Sequence, residues 1–336
     1  AEFFARASVS LLHHTGIVDY ISFGSESNNI GLLNYIANIL NDEPAKFKKL
    51  LKDNLQHGIA FPRARAKALK EYCSNLLQFD FLLQDLEKVI STPNNILGIE
   101  YIKALNKLNS TIIPVTLQRT SANYHDHFID GDIASATAIR HHLETSSLKS
   151  IGNTLPSYSY HLLNKISGQG VIDYTKLSEF LNYRLLFSSK EDLKNIMGVT
   201  EGIENRIFNI FKHTQTFDEM VVGIKSKRFT QTTIQRILLN IILQITKEDF
   251  YSFEDYGGPA YIRILGFRKS SQALLTKIKK ESNLPLVMNI KRDYPKLSPV
   301  AKKMLDIEIR STNIYSALYY HDPHYNLDFT HPIVIV

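Results

Sequence analysis

The sequence predicts an α/β domain followed by an all-α domain. Up to about residue 150, short β-branched and aromatic runs alternate with amphipathic runs, which is typical of an open parallel sheet covered by helices. Beyond that point strand signals are weak and the patterned segments have helical spacing. The 336 residues fit two domains at about 150 residues each. We therefore expect domains at 1–150 and 151–336, joined near 146–159, where Ser, Gly, Asn, Thr and Pro collect.

The elements follow from composition and spacing. Residues 17–23 and 112–117 are short and rich in β-branched and aromatic side chains, so each predicts a strand. Apolar residues at helical spacing predict helices in the first domain at 32–40, 44–55, 63–90, 95–108 and from 135 onwards. The same spacing predicts helices in the second domain at 177–186, 191–197, 201–211, 217–224, 232–246 and 271–281.

Composition excludes several classes of protein. Hydrophobic residues make up 44% and charged residues 21%, an ordinary globular composition. No apolar run approaches the roughly 20 residues that span a bilayer, and the single cysteine, Cys73, excludes an intramolecular disulfide. We therefore expect a cytoplasmic protein without a membrane partner. P-loop, dinucleotide-binding and nucleophile-elbow motifs are absent from the sequence.

The net charge of +6 is unevenly distributed. Residues 1–150 hold 15 basic and 15 acidic residues, whereas residues 151–336 hold 24 and 18. Within 206–280 the balance is 13 basic to 6 acidic, which suits a polyanionic partner. A lysine-rich solvated face is the alternative.

Ligands of open α/β sheets bind outside the carboxyl ends of the strands, so residues just after each strand are informative. Gly24 follows the first strand and lets backbone approach a ligand, although it is equally a plain turn glycine. Arg119 follows the second strand, where it can meet an anionic group. At the predicted helix start, Ser135 and Thr137 place hydroxyls beside open N–H groups, and Arg140 adds a positive charge. This pattern indicates a phosphate site, with an ordinary N-capped helix as the alternative.

Two basic stretches of the second domain are candidates for RNA contact. Phe229 lies among the cations of the first stretch, where it can stack on a base or anchor the chain in the core. The predicted phosphate contacts are Lys225, Lys227, Arg228 and Arg236 in the first stretch and Arg268 and Lys269 in the second.

A metal site is not predicted. His125, Asp126 and His127, with Asp130 and Asp132 nearby, could be drawn as ligands, but adjacent residues on a short loop rarely converge on one ion.

Seven short motifs occur in a fixed order along the chain, at 4–10, 23–26, 93–98, 124–126, 133–140, 225–230 and 261–266. As a set they resemble the bacterial tRNA(Met) cytidine acetate ligases of the HIGH-motif nucleotidyltransferase superfamily. The resemblance implies a Rossmann-like ATP-binding domain, N-terminally incomplete, followed by a helical tRNA-binding domain. It also implies that ATP, with Mg²⁺ as a candidate companion ion, activates acetate to acetyl-adenylate. The acetyl group then passes to the wobble cytidine of elongator methionine tRNA.

Site residues follow from the resemblance position by position. Gly24 would lie against the nucleotide, Asn94 would hydrogen-bond it, and Arg119 with Thr120 would complete its pocket. The segment 135–140 is similar to the superfamily's second phosphate motif, which would hold the β and γ phosphates.

The family's H-x-G-H motif occurs nowhere in the sequence, so no catalytic residue is assigned. Ala1 aligns inside the family's first domain, and we expect the first strand and the catalytic histidines to be missing. If the chain is complete, it should bind ATP weakly and fail to adenylate acetate. Two other functions stay open: a non-catalytic RNA-binding protein on this scaffold, and an adenylyltransferase acting on a small cofactor precursor. A purely structural, partner-binding protein leaves the 135–140 segment unused.

Overall fold

The computed structural model describes residues 2–59, 61–74, 86, 89–119, 133–145, 148–166, 174–200, 202–226, 228–319 and 323–336. The chain divides into two compact units. Unit 1 comprises Ala1–Lys165 and Lys280–Asn283, and unit 2 comprises Ile166–Lys279 and Leu284–Val336. The chain therefore leaves unit 1, returns to it for one short segment, and leaves it again.

Unit 1 has the predicted alternation of helices and strands. Its elements are α1 (Glu2–His14), β1 (Tyr20–Ser25), α2 (Ile30–Asp42), α3 (Ala45–Gln56), α4 (Phe61–Ser74), α5 (Pro93–Lys107), β2 (Ile113–Gln118), α6 (Ala136–Thr145), a 3-10 helix (Leu148–Thr154) and α7 (Ser157–Ile166).

Strands β1 and β2 pair in parallel, with Tyr20 opposite Ile113 and Ser25 opposite Gln118. Helix α5 packs closely against this pair, because a Cβ atom on Gly98 would lie 2.5 Å from Cε2 of Phe23. Helices α1 and α2 also pack on α5. The main core of unit 1 is formed by the apolar faces of α2, α4 and α5. This packing fixes where β1 ends relative to the start of α5.

Unit 1 extends beyond residue 150, where the sequence places the end of the first domain. Ile151 is fully buried, and the 3-10 helix that carries it contacts α6. The small and polar residues of 146–159 are typical of a linker, but this segment packs on the unit through the buried Ile151.

The returning segment of unit 1 lies against the end of α1. The backbone N–H of Asn283 donates to the carbonyl of His14 over 3.2 Å. Gly16 has a φ of +69°, and a Cβ atom there would lie 2.7 Å from the carbonyl oxygen of Glu281. A side chain at position 16 would therefore push this segment away.

Unit 2 is mostly helical. Its elements are α8 (Tyr174–Leu186), α9 (Lys190–Asn195), α10 (Ile203–Phe211), α11 (Phe217–Ile224), α12 (Gln231–Leu243), α13 (Lys247–Tyr256), β3 (Ile262–Arg263), β4 (Gly266–Phe267), a 3-10 helix (Lys269–Ser271), α14 (Gln272–Glu281), β5 (Leu286–Val287), α15 (Ile290–Asp293), a 3-10 helix (Tyr294–Lys296), α16 (Pro299–Tyr319), α17 (Leu327–Thr330) and β6 (Val334–Ile335). Capping boxes at Ser189, Thr216 and Thr246 start α9, α11 and α13.

The prediction of an all-α second domain needs one correction. Strand β3 pairs in parallel with β5, and β4 pairs in parallel with β6. Each of these strands spans two residues, which is too short to show the period of two that marks a strand in sequence. Helices α13 and α16 were not predicted either. Helix α13, residues 247–256, carries so many charged and aromatic side chains that its sequence shows no clear apolar stripe.

In the part of the chain that the structure describes, no helix is both long and apolar enough to cross a membrane.

The stability of unit 1 should depend on a buried ion-pair network on α5. The carboxylate of Glu100, 3% exposed, binds Lys103 over 2.7 Å and Arg65 over 3.1 Å. Glu100→Gln takes the paired carboxylate from Arg65 and leaves Lys103 with only the more distant Glu2, at 3.6 Å, so we expect it to lower the free energy of unfolding of unit 1 by about 3 kcal/mol. Chemical denaturation of the full chain measures this.

The matched control is Glu191→Gln in unit 2. Glu191 also pairs with a lysine three residues away, Lys194, over 2.8 Å, but its side chain is 77% exposed. Loss of this ion pair should lower the free energy of unfolding by no more than about 1 kcal/mol. If both variants lost the same free energy of unfolding, burial of Glu100 would add nothing to the contribution of its ion pairs.

Candidate functional site

The carboxyl ends of β1 and β2 meet at one edge of the sheet, because the two strands are parallel. Gly24 lies opposite Leu117 in this register. The backbone N–H of Arg119 donates to the carbonyl of Ser25 over 3.0 Å and extends the ladder by one bond. The residues that follow both strands are therefore held side by side.

Gly24 and Arg119, both predicted from the sequence, are in contact. A Cβ atom at position 24 would lie 3.3 Å from Cγ and 3.6 Å from Cδ of Arg119. The stem of the arginine therefore runs across the backbone of Gly24, and a larger residue there would displace it. An exposed cation therefore lies at the end of the sheet, which suits an anionic ligand.

Asn95 ties the loop after β1 to the start of α5. This side chain is fully buried, and its Oδ1 accepts hydrogen bonds from Oγ of Ser25 over 2.6 Å and from the backbone N–H of Glu26 over 3.1 Å. Its Nδ2 donates to Oγ1 of Thr92 over 2.7 Å. The loop cannot move away from α5 without leaving buried polar groups unpaired.

The carboxylate of Glu26 occupies the amino-terminal end of α5. It accepts hydrogen bonds from the backbone N–H groups of Asn94 over 3.2 Å and Asn95 over 2.9 Å, and from Nδ2 of Asn94 over 2.7 Å. Partial burial acts to raise the pKa of Glu26, but the hydrogen bonds from Asn94 and Asn95 outweigh it and lower the pKa below its usual value. Glu26 is therefore ionised at neutral pH and serves as the anion of this helix terminus.

The position of Glu26 restricts the predicted role of Asn94. Nδ2 of Asn94 donates one hydrogen bond to Glu26, so its second N–H and Oδ1 remain for a nucleotide. The start of α5 has no free place for phosphate, since Glu26 already binds its N–H groups.

The start of α6 is built differently. Oγ of Ser135 accepts a hydrogen bond from the N–H of Ala138 over 3.0 Å, so Ser135 is the N-cap and its side chain is buried. Thr137 is half-buried and Arg140 is exposed. The first N–H groups of a helix have no intrahelical partner, so Ala136 and Thr137 still offer theirs. Thr120 and the histidine and aspartate residues at 125–132 lie outside the described residues.

The first basic stretch of unit 2 forms a tight turn between α11 and α12. The N–H of Ser226 donates to the carbonyl of Phe229, and the N–H of Phe229 donates to Oγ of Ser226, each over 3.1 Å. Phe229 packs against the helical core, which favours its anchoring role over base stacking. Lys225 and Arg228 are exposed on the turn.

Other cations of unit 2 differ in exposure. Arg236, Arg268 and Lys269 are exposed, and Lys227 lies outside the described residues. Arg206, which the sequence did not single out, donates to the carbonyls of Gly223 over 2.9 Å and Lys225 over 3.0 Å. It therefore holds the start of the basic turn in place.

The second basic stretch contains one inward-facing cation. Arg263 binds the carboxylates of Glu308 and Asp328, and the hydroxyl of Tyr261 donates to Glu308 over 2.7 Å. Burial, followed by the hydrogen bond to Glu308, raises the pKa of Tyr261 far above its ordinary value, so the phenol keeps its proton. Arg263 therefore has a structural role within unit 2.

Within the described residues there is no group of three or more His, Cys, Asp or Glu side chains placed to hold a metal ion.

Comparison with known proteins decides the family. The family model described as HIGH Nucleotidyl Transferase matches residues 1–328. The tRNA(Met) cytidine acetate ligase of Acetivibrio thermocellus is 36% identical over 345 aligned residues, which cover 100% of this chain and 81% of that protein. The ligase of the same name from Halothermothrix orenii is 38% identical, covering 95% of this chain and 77% of that protein. The chain belongs to the tRNA(Met) cytidine acetate ligase family of HIGH nucleotidyltransferases.

Solved structures of this family confirm the fold class. The chain resembles the apo structure of Thermotoga maritima TmcAL with a TM-score of 0.89 and 29% identity, over 99% of this chain and 80% of that one. It also resembles Thermotoga maritima TmcAL bound with alpha-thio ATP, with a TM-score of 0.87 and 30% identity over the same shares. The family predicted from the seven motifs is therefore confirmed.

Glu26 and Asn95 belong to the candidate site but were not among the predicted site residues. Both lie inside motifs that carry the family resemblance, 23–26 and 93–98, but their roles depend on contacts across 69 positions of sequence. An acid one residue after a strand, together with an Asn pair directly after Pro93, is the signal that could have pointed to them.

Asn95→Ala tests the link between the loop and α5. We expect it to lower the free energy of unfolding of unit 1 by about 1–3 kcal/mol, because Ser25 and Glu26 lose a buried acceptor. Thermal and chemical denaturation measure the loss. Asn106→Ala is the matched control on the same helix, where Nδ2 donates to the exposed Asn38 over 2.8 Å. If Asn106→Ala lowered the free energy of unfolding as much as Asn95→Ala, the result would contradict a special role for Asn95.

Proposed function

We propose that the protein is a tRNA(Met) cytidine acetate ligase. The observation that carries this proposal is the similarity to proteins of that name over 95–100% of the chain. The substrate is elongator methionine tRNA, and the acyl donor is acetate. The reaction takes place in the cytoplasm.

The proposed reaction has two steps. A carboxylate oxygen of acetate attacks the α-phosphorus of ATP, and pyrophosphate leaves with the electron pair of the broken P–O bond. The N4 amine of the wobble cytidine then attacks the carbonyl carbon of acetyl-adenylate, AMP leaves, and the amine loses one proton. The product is N4-acetylcytidine.

The residues at the end of the sheet suit the binding of ATP in this scheme. Gly24 lets the stem of Arg119 lie across the backbone, and the exposed guanidinium of Arg119 is proposed to meet the nucleotide there. Asn94 can accept a hydrogen bond through Oδ1 or donate one through the second N–H of Nδ2, whose first N–H donates to Glu26. Thr120 follows Arg119 directly and completes the proposed pocket.

The phosphates are proposed to bind at the start of α6. Glu26 fills the start of α5 with a negative charge, which repels phosphate and leaves α6 as the better terminus. Ser135 shapes this terminus as its N-cap, while Thr137 and Arg140 offer a hydroxyl and a cation. Donors fixed in advance stabilise the charge that develops on the leaving pyrophosphate. Mg²⁺ as a companion of the phosphates stays a prediction, which ATP titration with and without a chelator tests.

The tRNA is proposed to bind unit 2. This unit has 22 Lys and Arg against 17 Asp and Glu, so it attracts a polyanion. Two hydrogen bonds between Ser226 and Phe229 hold the turn between α11 and α12, on which Lys225 and Arg228 are exposed, and this order lowers the entropy lost on binding. The proposed phosphate contacts are Lys225, Lys227, Arg228, Arg236, Arg268 and Lys269.

The activity is tested with the full-length protein, elongator methionine tRNA, ATP and isotope-labelled acetate. Mass spectrometry of the digested tRNA should detect labelled N4-acetylcytidine, and omission of ATP or acetate should abolish it. A product that forms without ATP, or on tRNA that lacks the wobble cytidine, would contradict the proposal.

Arg140→Ala tests the phosphate assignment. Loss of a charge-assisted contact is expected to weaken ATP binding by about tenfold or more, measured by calorimetry. Lys149→Ala, an exposed cation of the 3-10 helix in the same unit, is the control and should bind ATP normally. Unchanged ATP affinity in Arg140→Ala would reject a phosphate contact at this residue.

Arg236→Ala tests the tRNA surface. We expect weaker tRNA binding and a slope of log affinity against log salt that is shallower by about 1, because one fewer counterion is released. Filter binding across a salt series measures both. Lys296→Ala, an exposed cation of unit 2 outside the proposed set, should leave the slope unchanged. A slope that is the same in Arg236→Ala and the unaltered protein would exclude Arg236 from the interface.

A further inference from the structure

Helices α3 and α4 form a hairpin in unit 1, residues 45–74, with a concentrated positive charge. The hairpin holds eight Lys and Arg but only two Asp and Glu, so its net charge is +6. The net charge of the whole chain is also +6, and the rest of the chain is therefore neutral as a whole. Soluble surfaces usually mix the two signs of charge, whereas a surface of one sign suits a partner of opposite charge.

The apolar side of the hairpin is part of the core of unit 1. Helices α3 and α4 pack against each other. Phe47 of α3 is fully buried, and its ring meets that of Tyr72 of α4 edge-on, with centroids 6.2 Å apart. Leu69 and Cys73 of α4 are buried in the same core. The backbone of the hairpin is therefore fixed, so the cations that it carries start from fixed places.

Three lysines of α3 are neighbours on the surface of that helix. Lys46, Lys49 and Lys52 follow one another at intervals of three residues, and all three are exposed. None of them forms an ion pair with a residue that the structure describes. Like charges at neighbouring positions destabilise a helix, so the stability of α3 does not account for these lysines.

The other cations of the hairpin are neutralised to different degrees. Lys48 and Lys67 each lie 3.8 Å from a glutamate carboxylate. Arg65 binds the buried Glu100. Arg63, near the start of α4, is exposed and has no acidic partner among the described residues. The uncompensated charge of the hairpin is therefore carried by Arg63 and the three lysines of α3.

The hairpin suits an RNA better than a membrane surface. A helix that lies in a membrane interface must expose an apolar face to the lipid. The apolar face of α3 is instead packed into the core of unit 1 through Phe47, Leu50 and Leu51. The phosphates of an RNA backbone require only exposed cations, which the other side of the helix supplies.

We propose that the α3–α4 hairpin is a second tRNA-binding surface, on unit 1, where Lys46, Lys49, Lys52 and Arg63 contact phosphates. The inference rests on the proposed function, which makes tRNA the polyanionic substrate. Phosphate contacts carry no sequence information, so the hairpin adds affinity for any tRNA and leaves selection of the wobble cytidine to other residues. The neutral count over residues 1–150 conceals this surface, because acidic residues elsewhere in that range balance it.

The test is the triple variant Lys46→Ala, Lys49→Ala, Lys52→Ala in the full chain. Alanine has the highest helix propensity and removes the repulsion between the lysines, so α3 should be at least as stable, which chemical denaturation checks. Filter binding of elongator methionine tRNA is measured across a salt series. We expect the slope of log affinity against log salt to become shallower by about 2–3, because three fewer counterions are released. Affinity near 0.1 M salt should fall by about tenfold or more.

The matched control removes three other exposed lysines, which lie outside both proposed tRNA surfaces: Lys149→Ala, Lys165→Ala, Lys296→Ala. It lowers the net charge of the protein by the same amount, so it separates the position of the charges from their number. The control should keep the slope of the unaltered protein. An equal change of slope in the two triple variants, or an unchanged slope in the hairpin variant, would overturn the proposal.

Vesicles of phosphatidylcholine and phosphatidylserine test the membrane alternative. The unaltered protein is sedimented with these vesicles, and the hairpin variant is compared with it. Binding to the vesicles that the hairpin variant loses, together with an unchanged tRNA slope, would assign the hairpin to a membrane surface and contradict the tRNA proposal.

Failure of the proposed function is detected separately, by the acetyl-transfer assay. If no N4-acetylcytidine forms but the salt slope depends on the lysines of the hairpin, the proposed function fails and the hairpin is still an RNA-binding surface. If acetylation proceeds and the slope does not depend on these lysines, only the hairpin proposal fails. Equal losses of affinity for elongator methionine tRNA and for a tRNA without the wobble cytidine are expected, and a loss confined to one of them would contradict phosphate contact.

Discussion

The carboxylate of Glu26 at the amino-terminal end of α5 is the interaction on which the candidate site depends. It neutralises the positive end of the helix, and with the buried Asn95 it fixes the loop after β1 to that helix. The position of Gly24 is set by this loop, and the stem of Arg119 follows from the position of Gly24. The proposed nucleotide pocket at the sheet edge is thus organised by hydrogen bonds within the protein.

Because Glu26 binds the start of α5, the amino-terminal ends of α5 and α6 differ in the ligands that they can bind. A helix start that already binds a carboxylate does not attract phosphate, whereas one capped by a neutral serine still does. The arginines of unit 2 also fall into two groups, those that bind other groups of the unit and those that are exposed. Arg206 and Arg263 bind carbonyls and carboxylates of the unit itself, while Arg236 is exposed. A basic composition therefore overstates the number of cations that can reach an RNA.

Much of the fold could be predicted because unit 1 has strong local patterns. The strands at 17–23 and 112–117 and the helices at 32–56 stand within a few residues of their predicted places, since composition and periodicity determine them locally. The strand pairs of unit 2 were missed because two residues cannot show a period. Glu26 and Asn95 were missed for another reason: their roles arise from contacts between segments far apart in sequence, which no local pattern records. The family resemblance indicated the right segments, but only the hydrogen bonds in the structure show what these two side chains do.

The return of residues 280–283 to unit 1 has a consequence for how the protein is made. Asn283 hydrogen-bonds to the end of α1, and Gly16 leaves room for Glu281 beside it. Nearly all of unit 1 lies before residue 166, yet its last segment, residues 280–283, is synthesised only after residues 166–279 of unit 2. During translation the amino-terminal unit therefore receives this segment more than 100 positions after the rest of its residues. A fragment cut at residue 165 lacks the segment and with it the hydrogen bond between Asn283 and His14.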